Sequence, residues 1–257
     1  MNINKHLILL FSVLFFLFAV SVSSGCFRKN ESDVKSVVRN ELDQLKNLDS
    51  ETTQKYIPYT ELFPDATENT DLTDEINETF SLFFRKFNYK ISDVIVGTAN
   101  HSATVSVKLT TIDSKVLARD FKAELLRTQI TESAQAQKGN IKDSSRSLEA
   151  HYLILNHLLN TNDYDTAETD CNIQLVNTGN DKKEKWKIQR TNSLEDDLVG
   201  GLIADLADPD ILSPEDTLTV YLDTLQKLDL KEMTSYLGVV NLSLIHISEP
   251  TRQEAIS

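Results

Sequence analysis

An internal repeat at a spacing of 180 residues constrains this 257-residue chain more than any other feature. Residues 42–57 (LDQLKNLDSETTQKYI) align without gaps with residues 222–237 (LDTLQKLDLKEMTSYL). The identical positions are leucines at helical spacing, two aspartates and a tyrosine: Leu42, Asp43, Leu45, Leu48, Asp49 and Tyr56 match Leu222, Asp223, Leu225, Leu228, Asp229 and Tyr236. Two amphipathic helices can match by composition, but agreement beyond the helix favours a true repeat. We predict a first domain over 32–206, a linker over 207–212 and a second, truncated domain that starts at 213–241.

Hydrophobic periodicity predicts that the first domain begins with helices. After Ser32, apolar residues at helical spacing run from Val34 to Leu48, and a short helix over Glu51–Ile57 stops before Pro58. A stripe of apolar and aromatic residues predicts a third helix: Ile76, Phe80, Phe83, Phe84 and Phe87. Such a stripe is more often part of a core than of a cofactor site.

After the third helix, apolar and polar residues alternate with a period of two, which is typical of strands. Tyr89–Val96 and residues 103–110 flank a short loop, so we predict an antiparallel hairpin. Two helical patterns follow, over about Lys115–Gln135 and residues 148–159, and two further strands are predicted over Thr169–Asn177 and Glu184–Arg190. Helices combined with antiparallel strands indicate an α+β fold.

The amino-terminal 25 residues have the three parts of a secretory signal peptide. Lys5 supplies positive charge, an apolar stretch extends from Leu7 to Val22, and small residues lead through Gly25 to Cys26. The apolar stretch is short for a bilayer-spanning helix, which needs about 20 residues. We therefore predict a cleaved signal rather than a membrane span.

The small residues before Cys26 resemble a lipobox, the recognition site of lipoprotein signal peptidase, with Ser23 where that family usually carries Leu. The resemblance implies cleavage between Gly25 and Cys26, a diacylglycerol and palmitate anchor on Cys26, and residues 26–31 as a lipidated tether. The protein would then lie on the extracytoplasmic face of a bacterial cell membrane. Two alternatives stay open: Cys26 stands next to an ordinary cleavage site, or residues 7–25 remain as an uncleaved anchor.

The carboxyl-terminal segment resembles something other than a protein domain. Residues 242–252 (LSLIHISEPTR) match the conceptual translation of a transposase adapter used in sequencing libraries, and residues 253–257 fit the index and the next adapter segment. We therefore predict that residues 242–257 are a non-native tail and give His246 and Pro250 no functional weight. The natural protein is then expected to continue past Asn241.

The net charge and the cysteine content limit the classes of partner and the disulfide bonds that we expect. The formal net charge of −13 repels phosphate backbones, so we expect no nucleic-acid partner, and membrane contact should come from the lipid alone. If Cys26 is lipidated, Cys171 has no disulfide partner and is best explained as a small core residue.

Searches for catalytic, cofactor and metal motifs predict no such site. His151 and His157 are six residues apart and do not share a helix face, and His151 is predicted to be a core residue. The acidic cluster Asp163, Asp165, Glu168 and Asp170 lacks the glycine of a calcium loop and is predicted to be a solvated loop.

A family resemblance connects these patterns. Tyr221–Asp229 with Met233–Leu237, Ala103–Asp113 and Lys185–Ile188 resemble the nuclear transport factor 2-like superfamily, a cystatin-like α+β fold, and in particular uncharacterised bacterial lipoproteins. The resemblance implies helices packed on a curved antiparallel sheet, a cone with a pocket at its open end. It is expected here in tandem, with the second copy truncated.

We expect a lipid-anchored envelope protein that acts as a non-enzymatic binding or spacer module for an unknown protein or small-molecule ligand. One alternative is a pocket enzyme of the isomerase or hydratase type, in which Asp93 or Asp113 near a strand end would act as acid or base. Another is an accessory subunit that docks a membrane partner.

Overall fold

The computed structural model describes residues 30–57, 62–64, 66, 73–97, 101–136, 144–179 and 184–228. Within these ranges the chain forms eight α-helices and a four-stranded antiparallel sheet, which confirms the predicted α+β class. The chain divides into two compact units, each made from separated segments. We name them the sheet unit and the helical unit and describe each by itself.

The sheet unit comprises the described residues up to Ile57 together with Phe83–Ile112 and Thr166–Gly200. Its helices are α1 (residues 30–46), α2 (Ser50–Tyr56) and α6 (Asn192–Leu198). Its strands are β1 (Asn88–Val96), β2 (Ser102–Ile112), β3 (Thr166–Asn177) and β4 (Trp186–Ile188).

The strands lie in the order β1-β2-β3-β4, and every neighbouring pair is antiparallel. The β1–β2 hairpin was predicted and is confirmed; its register shifts once, between Ile91 and Asp93. β2 and β3 pair continuously from Ser102 with Val176 to Ile112 with Thr166. β1 and β4 do not pair, so the sheet is not closed.

One face of this sheet is apolar and buried, because side chains alternate along each strand. The buried residues of the two central strands are Ala103, Val105, Val107 and Leu109 on β2 and Cys171, Ile173 and Leu175 on β3. α1 contributes an equally buried stripe at helical spacing: Val34, Val38, Leu42 and Leu45. This core matches the alternation and the helical stripe that the sequence predicts.

Polar contacts fix α1 beside β1. The Tyr89 hydroxyl donates to Asp43 Oδ1 at 2.5 Å, and Lys46 Nζ donates to Asn88 Oδ1 at 2.8 Å. Burial, followed by the hydrogen bond to Asp43, raises the pKa of Tyr89 to about 12, so its hydroxyl keeps its proton and remains the donor. The two bonds set the position of α1 against the edge of the sheet.

α1 ends earlier than its leucine stripe predicts. Leu48 lies outside the helix with a positive φ of 63°, and its side chain is 43% exposed. The N–H groups of Leu48 and Asp49 donate to the carbonyls of Leu45 and Gln44, which is the hydrogen-bond pattern of a Schellman C-cap. Asp49 then caps α2 by accepting from the N–H of Thr52, so the chain turns between the two helices at Leu48.

The helical unit comprises the described parts of Pro58–Leu82, Asp113–Asp165 and the residues from Gly201 on. Its helices are α4 (Ser114–Ala136), α5 (Leu148–Thr161), α7 (Leu202–Ala207) and α8 (Pro214–Lys227), with a 3₁₀ turn at Ser144–Arg146. α3 (Thr73–Phe84) belongs to this unit except for its last two residues. α4 is central to the unit, because α5, α7 and α8 all pack on it.

Three parts of the chain differ from the sequence-based expectation. α6 and α7 were not predicted, although Leu194, Leu198, Leu202 and Leu206 are buried at helical spacing. β3 begins at Thr166, three residues before the predicted start, and β4 covers only Trp186–Ile188 of the predicted Glu184–Arg190. The predicted N-cap of α8 is confirmed: Ser213 accepts from the N–H of Asp216, with Pro214 at the first helical position.

The glycine pair after α6 generates a prediction. Gly200 and Gly201 both have positive φ, 67° and 93°. A Cβ on Gly200 would overlap with Thr111 Oγ1, whereas the nearest atom to a Cβ on Gly201 is Ser114 Oγ at 3.7 Å. We expect Gly201→Ala to lose about 1–2 kcal/mol through its backbone alone. Gly200→Ala should lose about 1–3 kcal/mol more through the overlap.

Urea unfolding followed by far-ultraviolet circular dichroism measures both losses. Thr111→Ala in the Gly200→Ala background should recover part of the added loss, since it removes the overlapping hydroxyl. Equal unfolding midpoints for Gly200→Ala and Gly201→Ala would contradict the steric explanation.

Candidate functional site

A mixed-charge cleft in the helical unit contains Asp113, one of the two predicted acid–base candidates. The start of α4 forms one wall, and the chain from Asp210 to Asp216 forms the other. The cleft has a volume of about 320 Å³ and is lined by Asp113, Lys115, Val116, Arg119, Asp210, Ile211, Ser213 and Asp216. This volume is at the small end of the range for ligand pockets.

Three polar residues of this cleft form hydrogen bonds at the starts of α4 and α8. Asp113 Oδ1 accepts from the N–H of Val116 at 3.2 Å, which is the geometry of an N-cap for α4. Ser213 Oγ accepts from the N–H of Asp216 and donates to the Asp216 carboxylate at 2.8 Å. Three of the lining residues, Asp113, Ser213 and Asp216, thus have hydrogen-bond partners within the helical unit.

A second groove adjoins this cleft and shares Ile211 with it. Its volume is about 230 Å³, and its lining is partly apolar, with Leu125 and Leu126 of α4 facing Pro209 and Leu212. Lys122, Gln129, Asp208 and Thr217 complete the lining. The two hollows follow α4 from its charged first turns to an apolar stretch, a form that fits an extended segment better than a compact small molecule.

The other predicted acid–base candidate, Asp93, lies in the sheet unit. Its side chain is exposed on β1 where the register of the hairpin shifts. Asp93 and Asp113 belong to different compact units.

His151 lies half-buried in an aromatic cluster of the helical unit. Its ring centroid is 4.9 Å from that of Phe63 and 5.7 Å from that of Phe121, and its Nδ1 is 2.8 Å from the carbonyl oxygen of Ser147. Burial lowers the pKa of His151, with a smaller contribution from the nearby charge of Lys122. His151 is therefore a packed residue with a polar partner, as predicted, whereas His101 and His157 are exposed.

The acidic cluster is only partly a loop, which corrects the expectation. Asp163 and Asp165 lie in the turn before β3, but Glu168 and Asp170 are on the strand itself. Their side chains share the solvent face of the sheet with Lys108 of β2, whose Nζ is 3.1 Å from Glu168 and 3.8 Å from Asp170. In the part of the chain that the structure describes, no group of three or more His, Cys, Asp or Glu side chains is arranged to hold a metal ion.

Cys171 is a buried free thiol on β3, in line with its predicted role in the core. Burial, and secondarily the charge of Asp197, raises the pKa of Cys171 to about 12. Burial also raises the pKa of the Asp197 carboxyl. Since the thiolate is the reactive form of cysteine, this residue is poorly suited to nucleophilic chemistry.

One ion pair, between a buried carboxylate and a half-exposed arginine, was not anticipated from the sequence. Glu195 on α6 is 4% exposed, and its carboxylate accepts from Nε of Arg190 just before that helix. A buried carboxylate is retained only where it is paired. The pair lies where α6 packs against the sheet, and we therefore assign it a structural role.

The predicted lipid-attachment and cleavage residues, Cys26 and Gly25, lie outside the described residues, as do residues 229–257. Among the helices that are described, none is sufficiently long and apolar to cross a bilayer. In comparisons with known proteins, no protein-family model, no curated protein and no solved structure matches this chain.

The environment of His151 predicts a pH dependence of stability. Because folding lowers the pKa of His151, the unfolded chain binds more protons there. The stabilisation is complete above the ordinary histidine pKa of about 6.5. It is lost as the pH falls through that value toward the lower folded pKa.

We expect the free energy of unfolding to decrease between pH 8 and pH 5 by a smaller amount in His151→Phe than in the unmodified chain. Urea unfolding at a series of pH values measures the difference. His157→Phe, at an exposed position on the same helix, is the matched control and should keep the full dependence. An unchanged dependence in His151→Phe would contradict the assignment.

Proposed function

We propose that this chain is the precursor of a lipid-anchored, non-enzymatic binding or spacer protein of the bacterial envelope, built from tandem α+β copies. The proposed location in the envelope rests on the signal-like amino terminus and on Cys26. The tandem organisation rests on the repeat between residues 42–57 and 222–237. One structural observation supports the tandem organisation.

That observation is the contrast between equivalent positions of α1 and α8. At the repeat spacing, Val38 and Leu42 correspond to Leu218 and Leu222. The first pair is 0% and 2% exposed, and the second pair is 57% and 48% exposed. At these two positions α8 thus carries the apolar residues of a core helix without the cover that α1 has, as the first helix of a further copy would. Leu225, the equivalent of Leu45, is buried in both copies.

The repeat identities also have structural reasons in the first copy. Asp43 accepts from Tyr89, Asp49 caps α2, and Tyr56 is buried. These residues position a strand, start a helix and fill a core, so a second copy of the pattern is expected to specify the same fold. Of the counterparts, Asp223 is exposed on α8, while Asp229 and Tyr236 lie outside the described residues.

The α+β class and the antiparallel sheet support the proposed nuclear transport factor 2-like architecture. In this proposal the sheet curves around α1 to form the cone, and α4 and α5 are an insertion between β2 and β3. A binding or spacer role is favoured over catalysis because Asp113 and Ser213 cap helices and the Asp216 carboxylate accepts a hydrogen bond from Ser213. The pocket-enzyme alternative would use the same 320 Å³ cleft, with Asp113 beside Lys115.

Metabolic labelling tests the anchored module. Cells that express the chain would be fed an alkyne analogue of palmitate, and the protein would be conjugated to a fluorophore and fractionated. We expect label and membrane association in the unmodified chain, since a diacylglycerol thioether supplies two acyl chains. Cys26→Ala should lose both, and Cys171→Ala, the matched control, should keep both. Label that persists in Cys26→Ala would contradict the proposed anchor.

A further inference from the structure

α8 has one side that packs within the helical unit. α8 packs on α4, and its buried residues are Val220, Thr224 and Leu225. Thr217, one turn before Val220, lines the groove against α4. On α1 the equivalents of Val220 and Thr224 are Asn40 and Gln44, and both are exposed. The equivalent of Leu225 is Leu45, which is buried in both copies, so α8 has a buried side chain in place of an exposed one at two of its three docking positions.

On α1 this side is exposed at Asn40 and Gln44, and α2 reaches it through side-chain hydrogen bonds. Thr52 Oγ1 of α2 donates to Gln44 Oε1 at 3.1 Å, and Lys55 Nζ donates to Glu41 at 2.8 Å. Gln44 corresponds to Thr224, which is 3% exposed against the helical unit. The position that is exposed and hydrogen-bonded to α2 on α1 is therefore buried against α4 on α8.

The remaining side of α8 corresponds to the sheet-facing side of α1. Leu218, Leu222 and Asp223 are exposed and match Val38, Leu42 and Asp43. In the first copy this side adjoins β1, because Asp43 accepts from Tyr89 and Lys46 donates to Asn88. Within the described residues, the first copy therefore gives direct evidence of what this side of the helix packs against.

We infer that α8 is shared by two consecutive copies: α4 of the first copy holds one side, and the antiparallel sheet of the second copy covers Leu218 and Leu222. That sheet would present an apolar face to the leucines and a hydroxyl donor to Asp223. This inference rests on the proposed tandem organisation and adds its geometry. The copies are joined by a docked helix and not by a flexible tether, which suits a spacer of fixed length.

The loop before α8 supports a fixed joint. The N–H of Asp208 donates to the carbonyl of Ala204, the N–H of Asp210 donates to Asp208 Oδ1, and Ser213 caps α8. Ile211, between them, is 9% exposed. The predicted linker is thus held by hydrogen bonds and by a buried side chain.

The gene is first resequenced across codon 241 with adapter-trimmed long reads, and its full product is expressed. The test then compares thiol reactivity in that product and in the 257-residue chain. Leu222→Cys is the probe. Leu153→Cys, on the exposed face of α5, is the always-reactive control, and Leu225→Cys is the protected control. Each variant is first shown to melt like its parent. Maleimide labelling rates are then measured for all three.

We expect Leu222→Cys to react as fast as Leu153→Cys in the 257-residue chain, and at least about tenfold more slowly in the longer protein, because burial limits access to the thiol. An unchanged rate in a longer protein that contains a second copy would overturn the shared helix and leave the tandem proposal intact. Protection already present in the 257-residue chain would overturn it too, since residues 229–257 or a second chain would then be the cover. A gene that encodes LSLIHISEPTR and no further strands would overturn the tandem proposal itself.

Discussion

Burial of the apolar stripe of α1 is the interaction on which the sheet unit depends. Val34, Val38, Leu42 and Leu45 are at most 2% exposed, and they share a core with one face of β2 and β3. Burying one such side chain stabilises a fold by about 1.5–3 kcal/mol. Net stabilities of small domains are only about 5–15 kcal/mol, so a single position in this stripe has a large effect. Asp43 and Lys46 then determine where along β1 the helix lies.

The same stripe gives the repeat its meaning. α8 reproduces the leucines and the Leu-Asp pair of α1, but it also packs on α4 through Val220 and Thr224, whose equivalents on α1 are exposed. A helix with two apolar sides requires two partners, because exposed contiguous apolar surface is costly in water. The described residues supply one of them. In the tandem proposal the sheet of the second copy is the other partner, and the exposed surface of α8 is the contact between the copies.

Much of the fold could be predicted from the sequence because burial on one side leaves a readable period. α1, α3, α4 and α5 showed helical spacing, and β1, β2 and β3 showed alternation. The period was less readable where elements are short: α6 and α7 are seven and six residues long and are separated by Gly200 and Gly201. Glu168 was left outside the predicted strand because charge concealed its alternation with Thr169 and Cys171, whereas Asp170 fell within both the predicted strand and the predicted acidic loop.

The candidate site divides in the same way. A lipidation signal is contiguous in sequence and can be recognised before folding, so Gly25 and Cys26 could be named directly. The cleft could not, because Asp113 and Ser213 are brought together only by the packing of α8 on α4. Asp113 was singled out for its place at the end of a strand; its role as the cap of α4 depends on a helix start that periodicity locates only to within a few residues.

A matched pair of truncations tests whether Leu42 and Leu222 hold equivalent positions on α1 and α8, of which only the first is covered in this chain. Urea unfolding would be measured for Leu42→Ala and Leu222→Ala. The account predicts a loss of about 2–5 kcal/mol for Leu42→Ala, the usual cost of emptying a core position. It predicts a change within about 0.5 kcal/mol for Leu222→Ala, as at other surface positions. Similar losses at the two positions would show that Leu222 is already covered and would contradict the account.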